Sequence, residues 1–464
     1  MPSPGVNWYR ERVQMTPLHL MSIPLLAAAL VYLLRRFHAL AALLSAGTLL
    51  LLLSLLWQIP LDTPVEILGR PFTLTALNRP PLLLVYLVSG LAFLIAWQVP
   101  QGDDFHPFGL LLLAVLGGAM ASNNLIWSTL LTIMTLSMAA FLIQGGRPNS
   151  TRRGALRCQT VAVLTVSLLL PTFLLIDAYT LTPDASHLAN FILVTLALGI
   201  GMLLGIVPFH GWLVAAGEDG PALGTVLLIC LPNLAVLNLV FGLLNDQTWL
   251  ADKPQVWSMM TLAGLTTALW GGLPAFSQRH LGRLLGYAAL VDLGHILLGL
   301  GVGTSLGTTA ALLHVVNRPF ALLLTAVSLE VIRKSVGELR FEHLAGLAAR
   351  LPVTSFGLAV GGLALAGFPL ANTFPSHWLI YQAATRHNPL YGGALILANG
   401  GLLVGFMRGV YYLFSSSHPS GGAKEPWATK GIILALATVV LIGGLFPQYL
   451  VSAIQPLAAS LLTK

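Results

Sequence analysis

Long apolar stretches alternate with short polar ones along nearly the whole chain, and that alternation sets the architecture. Fourteen stretches are long enough to cross about 30 Å of hydrocarbon as helices. They cover residues 17–34, 38–57, 81–99, 108–121, 123–143, 158–177, 188–206, 222–244, 256–276, 284–302, 306–332, 353–370, 389–414 and 429–446. The pattern predicts an all-α, multi-pass membrane protein of about fourteen transmembrane helices. Two spans are interrupted: the seventh at Val207-Pro208-Phe209-His210, the twelfth between Pro369 and Pro375. Proline removes a backbone donor and crowds the preceding turn, so helices break there. Short amphipathic pieces, 209–216 and 376–385, continue after each break. Lipid offers freed backbone groups no partner, so a broken span must face protein or a wet cavity. Pro208, Pro369 and Pro375 therefore mark either an ion site or a plain kink. The breaks lie five spans apart. An odd offset turns the second copy over, which predicts two inverted repeats. The repeats cover roughly 108–244 and 256–414, flanked by spans in 17–99 and 429–446, within one domain over 1–464.

Composition agrees. Of 464 residues 56% are hydrophobic and 8% charged, against roughly 25% charged in soluble domains. The polar segment 1–16 runs into the first span without a small-residue cleavage site, which predicts a retained span. The net charge of +7 suggests nucleic acid only until the positions are read. Loops after odd-numbered spans hold Arg35, Arg36, Arg147, Arg152, Arg153, Arg157, Arg279, Arg283, Arg333, Lys334, Arg340, Arg350, Lys424 and Lys430. Loops after even-numbered spans hold Arg70, Arg79, Lys253 and Arg386 beside Asp62, Glu66, Asp177, Asp184, Asp246 and Asp252. Positive loops stay inside, so the odd loops are expected to be cytoplasmic and both termini external, across a cell inner (plasma) membrane. Residues 148–153 and 415–422 read as flexible loops, not domain linkers. Cys158 and Cys230 are isolated, the histidines lack metalloenzyme spacing, and neither G-x-G-x-x-G nor a P-loop occurs. No metal, cofactor or nucleic acid is expected, and nothing here handles electrons.

Four segments carry a family resemblance. Pro208-Phe209-His210-Gly211-Trp212-Leu213, leading to Gly220-Pro221, is the first. The others are Arg283-Leu284-Leu285-Gly286-Tyr287 with Gly294, then His314-Val315-Val316-Asn317-Arg318, then Leu347 to His377 with Gly367-Phe368-Pro369 and Phe374. In order and spacing the chain resembles the antiporter-like membrane subunits of respiratory complex I, membrane-bound hydrogenases and multisubunit sodium/proton antiporters. The resemblance implies proton movement along buried charged side chains: a glutamate in the fifth span, lysines in the seventh, eighth and eleventh, and a lysine or glutamate in the twelfth. This sequence departs from that pattern. Ile133 or Thr132, Leu203, Ala235 and Leu322 stand at the first four places, and none of the five lysines falls at any of them; Lys430 sits only at the very start of the last span.

The titratable groups left inside the spans are few, and each buried charge costs about 2.5–3.5 kcal/mol on insertion scales. His377 takes the twelfth-span position, as a proton carrier or as a neutral histidine bonded to unwound backbone. Asp292 and His295 share a helix face three residues apart, as a proton-accepting pair or a helix contact. His314, Asn317 and Arg318 share another face; Arg318 stays charged and is a candidate to tune its neighbours or hold Asp292. Pro319 loosens that helix. His210 reads as a cap on the broken helix or a link between the halves. Glu330, Arg333 and Lys334 read as a solvated cytoplasmic end, Asp177 as a span terminus, and Arg408 as snorkelling. The candidate pathway is thus His210, Asp292, His295, His314, Arg318 and His377. The reading is a membrane-arm subunit of a complex I-like or hydrogenase assembly, at most a non-redox, proton-translocating part of an NADH:quinone oxidoreductase-like complex. Its partners would be other membrane subunits and the bilayer. Two alternatives remain: a non-conducting scaffold, and a stand-alone or multisubunit cation–proton antiporter component.

Overall fold

A computed structural model describes residues 15–67, 69–144, 153–181, 186–415 and 425–462. Arg147, Arg152, Asp184 and Lys424 lie outside the described residues, with nearly all of the loops 148–153 and 415–422. Every one of the fourteen apolar stretches forms a helix. The first seven are α1 (His19–Leu33), α2 (His38–Gln58), α3 (Arg79–Gln98), α4 (Phe105–Ala121), α5 (Leu125–Gln144), α6 (Arg153–Leu181) and α7 (Ser186–Leu204). The amphipathic piece after the first break is α8 (Gly211–Asp219), followed by the eighth span α9 (Ala222–Asp246) and a single turn, α10 (Thr248–Ala251). Spans nine to twelve are α11 (Pro254–Ser277), α12 (Leu281–Gly301), α13 (Ser305–Val336) and α14 (Pro352–Leu365). After the second break come α15 (Phe374–His387), α16 (Pro389–Phe414), α17 (Trp427–Leu445) and α18 (Gln448–Leu462). Ten of these helices are long and apolar enough to cross a membrane on length and composition alone, and α1, α4 and α14 are shorter apolar ones. The protein is a multi-pass membrane protein.

Sequence reasoning did not anticipate three pieces. A small antiparallel hairpin, β1 (Val65–Ile67) and β2 (Arg70–Phe72), pairs Val65 with Phe72. The other two are α10 and the C-terminal α18, which packs on α13. Helix ends follow local chemistry. Thr304 and Asn388 cap α13 and α16 through their side chains, and prolines open α3, α11, α14, α15 and α16, where a missing N–H costs nothing.

The centre of the bundle is α12 and α13. Of their membrane-spanning portions 94% and 89% are buried, against 28% for α17 at the rim. Helices apolar on all sides sit inside. Small residues let them approach: a Cβ on Gly294 would lie 2.5 Å from the Ala268 nitrogen of α11, the close contact that small residues permit between membrane helices. Around this centre the two halves repeat one packing scheme. In the first half α5 packs on α4, α6 and α9, α6 on α7 and α8, and α4 on α9. In the second, α12 packs on α11, α13 and α16, α13 on α14 and α15, and α11 on α16. Replacing each first-half helix by the element five spans later reproduces the scheme.

The polar loops meet by parity, as a chain threading back and forth demands. Arg35 pairs with Asp104 at 2.7 Å and Arg283 with Glu218 at 2.7 Å, all in or beside odd loops. At the other end Phe72 bridges to Ser122, and Asn78 donates to the Met120 carbonyl at 2.8 Å. One expectation is overturned here. Glu330 and Arg333 are not a solvated end: Glu330 is fully buried and Arg333 nearly so. Glu330 Oε1 accepts from the Ala222 N–H at 2.6 Å and from Arg333 at 3.1 Å, while Arg333 also donates to the Gly220 carbonyl at 2.6 Å. The cause is geometric. At 32 residues, α13 is about 48 Å long, and its last turns run beside α9, whose orphan N-terminal donor needs an acceptor. Lys334 is exposed as expected, and Arg408 reaches the Phe276 carbonyl at 2.7 Å.

Candidate functional site

Both breaks use the same backbone device. Gly205 and Gly367 follow the last turns of α7 and α14 with φ of 72° and 70°, a region open to glycine because it has no Cβ. Beyond each glycine the chain runs unwound through Pro208 or Pro369 and re-enters a helix, α8 or α15. What surrounds the two breaks differs completely.

At the second break, polar side chains from α12, α13, α15 and α16 converge. Asp292, His295, His314 and His377 are fully buried, and Arg318 is 1% exposed. His314 Nε2 lies 3.2 Å from Asp292 Oδ1, and its Nδ1 lies 2.9 Å from Ser376 Oγ. The Thr373 carbonyl, at the end of the unwound segment, accepts three bonds: from the His377 N–H at 3.0 Å, His377 Nδ1 at 3.0 Å and Ser376 Oγ at 2.6 Å. The His377 ring stands 4.6 Å from those of both His295 and His314. Tyr381, one turn along α15, accepts from Asn399 of α16 and stands 5.8 Å from the His295 ring.

The acceptors assign the protons. Carbonyl oxygens only accept, so His377 Nδ1 and, through the Val291 carbonyl at 2.8 Å, His295 Nδ1 carry hydrogens. In the neutral imidazoles each Nε2 is then a lone pair. Ser376 gives its hydrogen to Thr373, so it accepts from His314 Nδ1. One further proton is left to bridge His314 Nε2 and Asp292 Oδ1. Asp292 Oδ2, His295 Nε2, His377 Nε2, Arg318 Nη1, Asn317 Nδ2 and Asn399 Oδ1 are buried without a hydrogen-bond partner among the described residues. Buried polar atoms in such number are met by water or by an ion.

The structure thus brings together four of the six sequence candidates, with Arg318 one turn from His314 on α13. Two pairings come out differently from expectation. Asp292 pairs with His314, not with His295, whose Nδ1 bonds to the Val291 carbonyl on its own helix. Asp292 also turns to His314 in preference to Arg318. His210 stands apart, half-buried with its ring 6.0 Å from that of Trp270. Sequence reasoning passed over Thr373, Ser376, Tyr381 and Asn399. A signal existed for two of them: Thr373 and Tyr381 lie four residues either side of His377, on its face of the helix. Asp292, His314 and His377 each offer a donor atom within 4.8 Å of the others; they come from three elements, so no sequence spacing could reveal them.

The first break is apolar. Leu203, Ile133 and Ala235, at first-half positions where the resemblance calls for charge, are all at most 4% exposed, and so is Leu322 of α13 in the second half. A cavity of about 130 Å³ opens beside the break, lined by Gly201, Leu204, Ile206, Leu237 and Met260 among others. Among the described residues, the unpartnered buried polar atoms in this half include the hydroxyls of Thr129 and Thr132, the Asn233 carbonyl oxygen and, at the break itself, His210 Nδ1 and Trp212 Nε1. Outside the spans, His280 caps α12 by accepting from the Arg283 N–H at 3.3 Å. Burial pushes it down to about 4, with Glu218 opposing and Arg333, Arg283 and Arg340 adding to the shift.

Comparison with known proteins shows the family and the fold. The family described as NADH:quinone oxidoreductase/Mrp antiporter, transmembrane, matches residues 163–402. Formate hydrogenlyase subunit 3 of Escherichia coli (strain K12) is 29% identical over 292 residues, 56% of this chain and 47% of that protein. NADH-quinone oxidoreductase subunit N of Cereibacter sphaeroides is 27% identical over 389 residues, 80% of this chain and 83% of the relative. The chain spans about half the length, or less, of the first curated relatives it matches. In fold it resembles a chain of respiratory complex I from Thermus thermophilus, with a TM-score of 0.79 at 22% identity over 96% of this chain and 99% of the other.

Proposed function

The chain belongs to the NADH:quinone oxidoreductase/Mrp antiporter transmembrane family, and on that premise we propose that it is a membrane-arm subunit of a complex I-like assembly that relays protons through its second half alone. The observation carrying this reading is the contrast between the breaks. Asp292, His314, His377 and His295 form a contiguous buried set around the second, with lone pairs and a bridging proton in reach of one another. A relay needs side chains that can take up and pass on a proton, and imidazoles and carboxylates can do so. Arg318 cannot exchange its proton; it supplies a fixed positive charge. Partners are the neighbouring subunits of the membrane arm, as the names of the relatives suggest. The membrane is the cell inner membrane, with the arginine-rich odd loops inside and both termini outside. The repeats run over roughly 108–244 and 256–414.

A second reading has its own support: Leu203, Ile133 and Ala235 leave the first half, and Leu322 one position of the second, with a buried apolar side chain where the resemblance calls for charge, as in a non-conducting scaffold. One experiment separates the two. Substituting His377→Gln or Asp292→Asn in the assembled complex, in vesicles with a pH-sensitive dye, stops or strongly slows this subunit's contribution to proton movement while assembly persists. Unchanged proton movement in assembled variants leaves the scaffold.

A further inference from the structure

We propose that Asp292, His314 and His377 form a binding site for one divalent transition-metal cation of the Zn²⁺ class. The donor set is two imidazoles and a carboxylate on α12, α13 and α15, with one atom from each within 4.8 Å. Zinc-class ions take nitrogen and oxygen ligands at about 2.0–2.1 Å in a tetrahedron. The edge of that tetrahedron is about 3.3 Å, and His314 Nε2 already stands 3.2 Å from Asp292 Oδ1. Metal-binding histidines are held through the ring nitrogen opposite the metal. Both rings here are held so: His377 Nδ1 donates to the Thr373 carbonyl and His314 Nδ1 to Ser376 Oγ, so each presents Nε2.

A second, independent observation points to a ligand. Asp292 Oδ2 and His377 Nε2 are fully buried and without a protein partner. An alkali or magnesium ion would need several oxygen donors, and the site offers one carboxylate beside imidazole nitrogens, a set suited to zinc, copper or nickel classes. Arg318, one turn from His314, opposes a dication and weakens the site without removing a ligand. Ligation would fix three groups that a relay needs free, so the occupied site blocks proton passage. That consequence rests on the proton-relay reading; the binding itself does not.

The test uses the purified full chain in lipid nanodiscs, titrated first with Co²⁺ and then with Zn²⁺. One Co²⁺ per chain, with the visible absorption of a four-coordinate nitrogen–oxygen site bleached by one equivalent of Zn²⁺, is expected. His377→Gln and Asp292→Asn weaken binding by about tenfold or more, while His343→Gln, at an exposed position, leaves it unchanged. X-ray absorption of the Zn²⁺-loaded wild type, which needs no variant to fold, shows nitrogen and oxygen neighbours with imidazole scattering. Absence of stoichiometric binding, undiminished binding in folded variants, or a sulfur shell from Cys158 or Cys230 overturns the proposal.

Discussion

Gly367 and Gly205 offer a matched pair of substitutions, because they share a backbone conformation and differ in what an added methyl group would strike. Both hold φ near 70°, where an L-residue costs about 1–2 kcal/mol. At Gly367 the new Cβ would lie 2.9 Å from Cγ and Nδ1 of His377 and 3.2 Å from Nδ2 of Asn399. Ordinary contact begins near 3.4 Å, so the imidazole must retreat by about 0.5 Å, at about 0.5–1.5 kcal/mol for an off-rotamer side chain. That movement disturbs the 3.0 Å bond from His377 Nδ1 to the Thr373 carbonyl. At Gly205 the methyl would strike Leu213 Cδ1 at 2.7 Å and Trp212 Cζ2 at 2.9 Å; neither atom titrates. Gly367→Ala and Gly205→Ala should therefore lose comparable stability, about 1.5–3.5 kcal/mol, read as thermal unfolding in detergent. Only Gly367→Ala should slow proton movement in dye-loaded vesicles, on the order of tenfold, since misplacements of this size are costly in reactive geometry. Wild-type proton movement in Gly367→Ala, or an equal loss in Gly205→Ala, refutes the assignment of the relay to the second break.

Three further outcomes follow from the same structure. Glu330→Ala deprives Arg333 of its buried acid and the Ala222 N–H of its acceptor, at about 3–5 kcal/mol; Glu330→Gln, which keeps an acceptor, should cost clearly less, and equal losses in an unfolding assay would contradict the capping role. His280 has a folded pKa of about 4, below its unfolded value near 6.5, so its contribution to stability is complete above 6.5 and is lost as pH falls towards 4. His280→Asn keeps the helix cap and should flatten that slope in unfolding measured from pH 7 to pH 4. Leu203→Lys places a charge where Leu203 is fully buried, costing about 2.5–3.5 kcal/mol, and should destabilise the chain without adding proton movement; an increase would mean the first half is wetter than its packing indicates.

The architecture was legible because each span is a long period of apolar residues and each loop a short polar one, so all fourteen helices follow from hydropathy. The breaks were legible through Pro208, Pro369 and Pro375. The site was legible in part. His377, Asp292, His295 and His314 stood out as titratable residues in apolar helices, but their partnerships did not. Which side chain Asp292 meets depends on how α12 rotates against α13, and no spacing within one helix encodes that. Glu330 misled for a related reason: near the end of a span a glutamate looks solvated until a neighbouring helix start comes down beside it. The short hairpin at 65–72 and the amphipathic α18 lacked the apolar period that made the spans visible.

The first break, with His210 and Trp212 polar at its edge, also raises the question of what keeps a costly discontinuity in place, and the packing offers an answer. Helix α8, which exists only because the chain unwinds at Gly205, is wedged against α12 of the other half. A Cβ on Gly217 would sit 2.4 Å from the Gly282 carbonyl, and one on Gly286 would sit 2.7 Å from the Val214 Cα, so backbone meets backbone along this seam. The same α12 carries Asp292 and His295. Just below the seam, Arg283 pairs with Glu218 of α8 at 2.7 Å and Arg333 of α13 grips the Gly220 carbonyl at α8's end. The first break therefore sets the position of the two helices that hold most of the polar cluster. The helix it creates packs against α12, the helix that brings Asp292 to within 3.2 Å of His314. A discontinuous helix in this fold is thus no proof of an ion site at the break itself, and the chemistry at the second break rests on the geometry that the first one supplies.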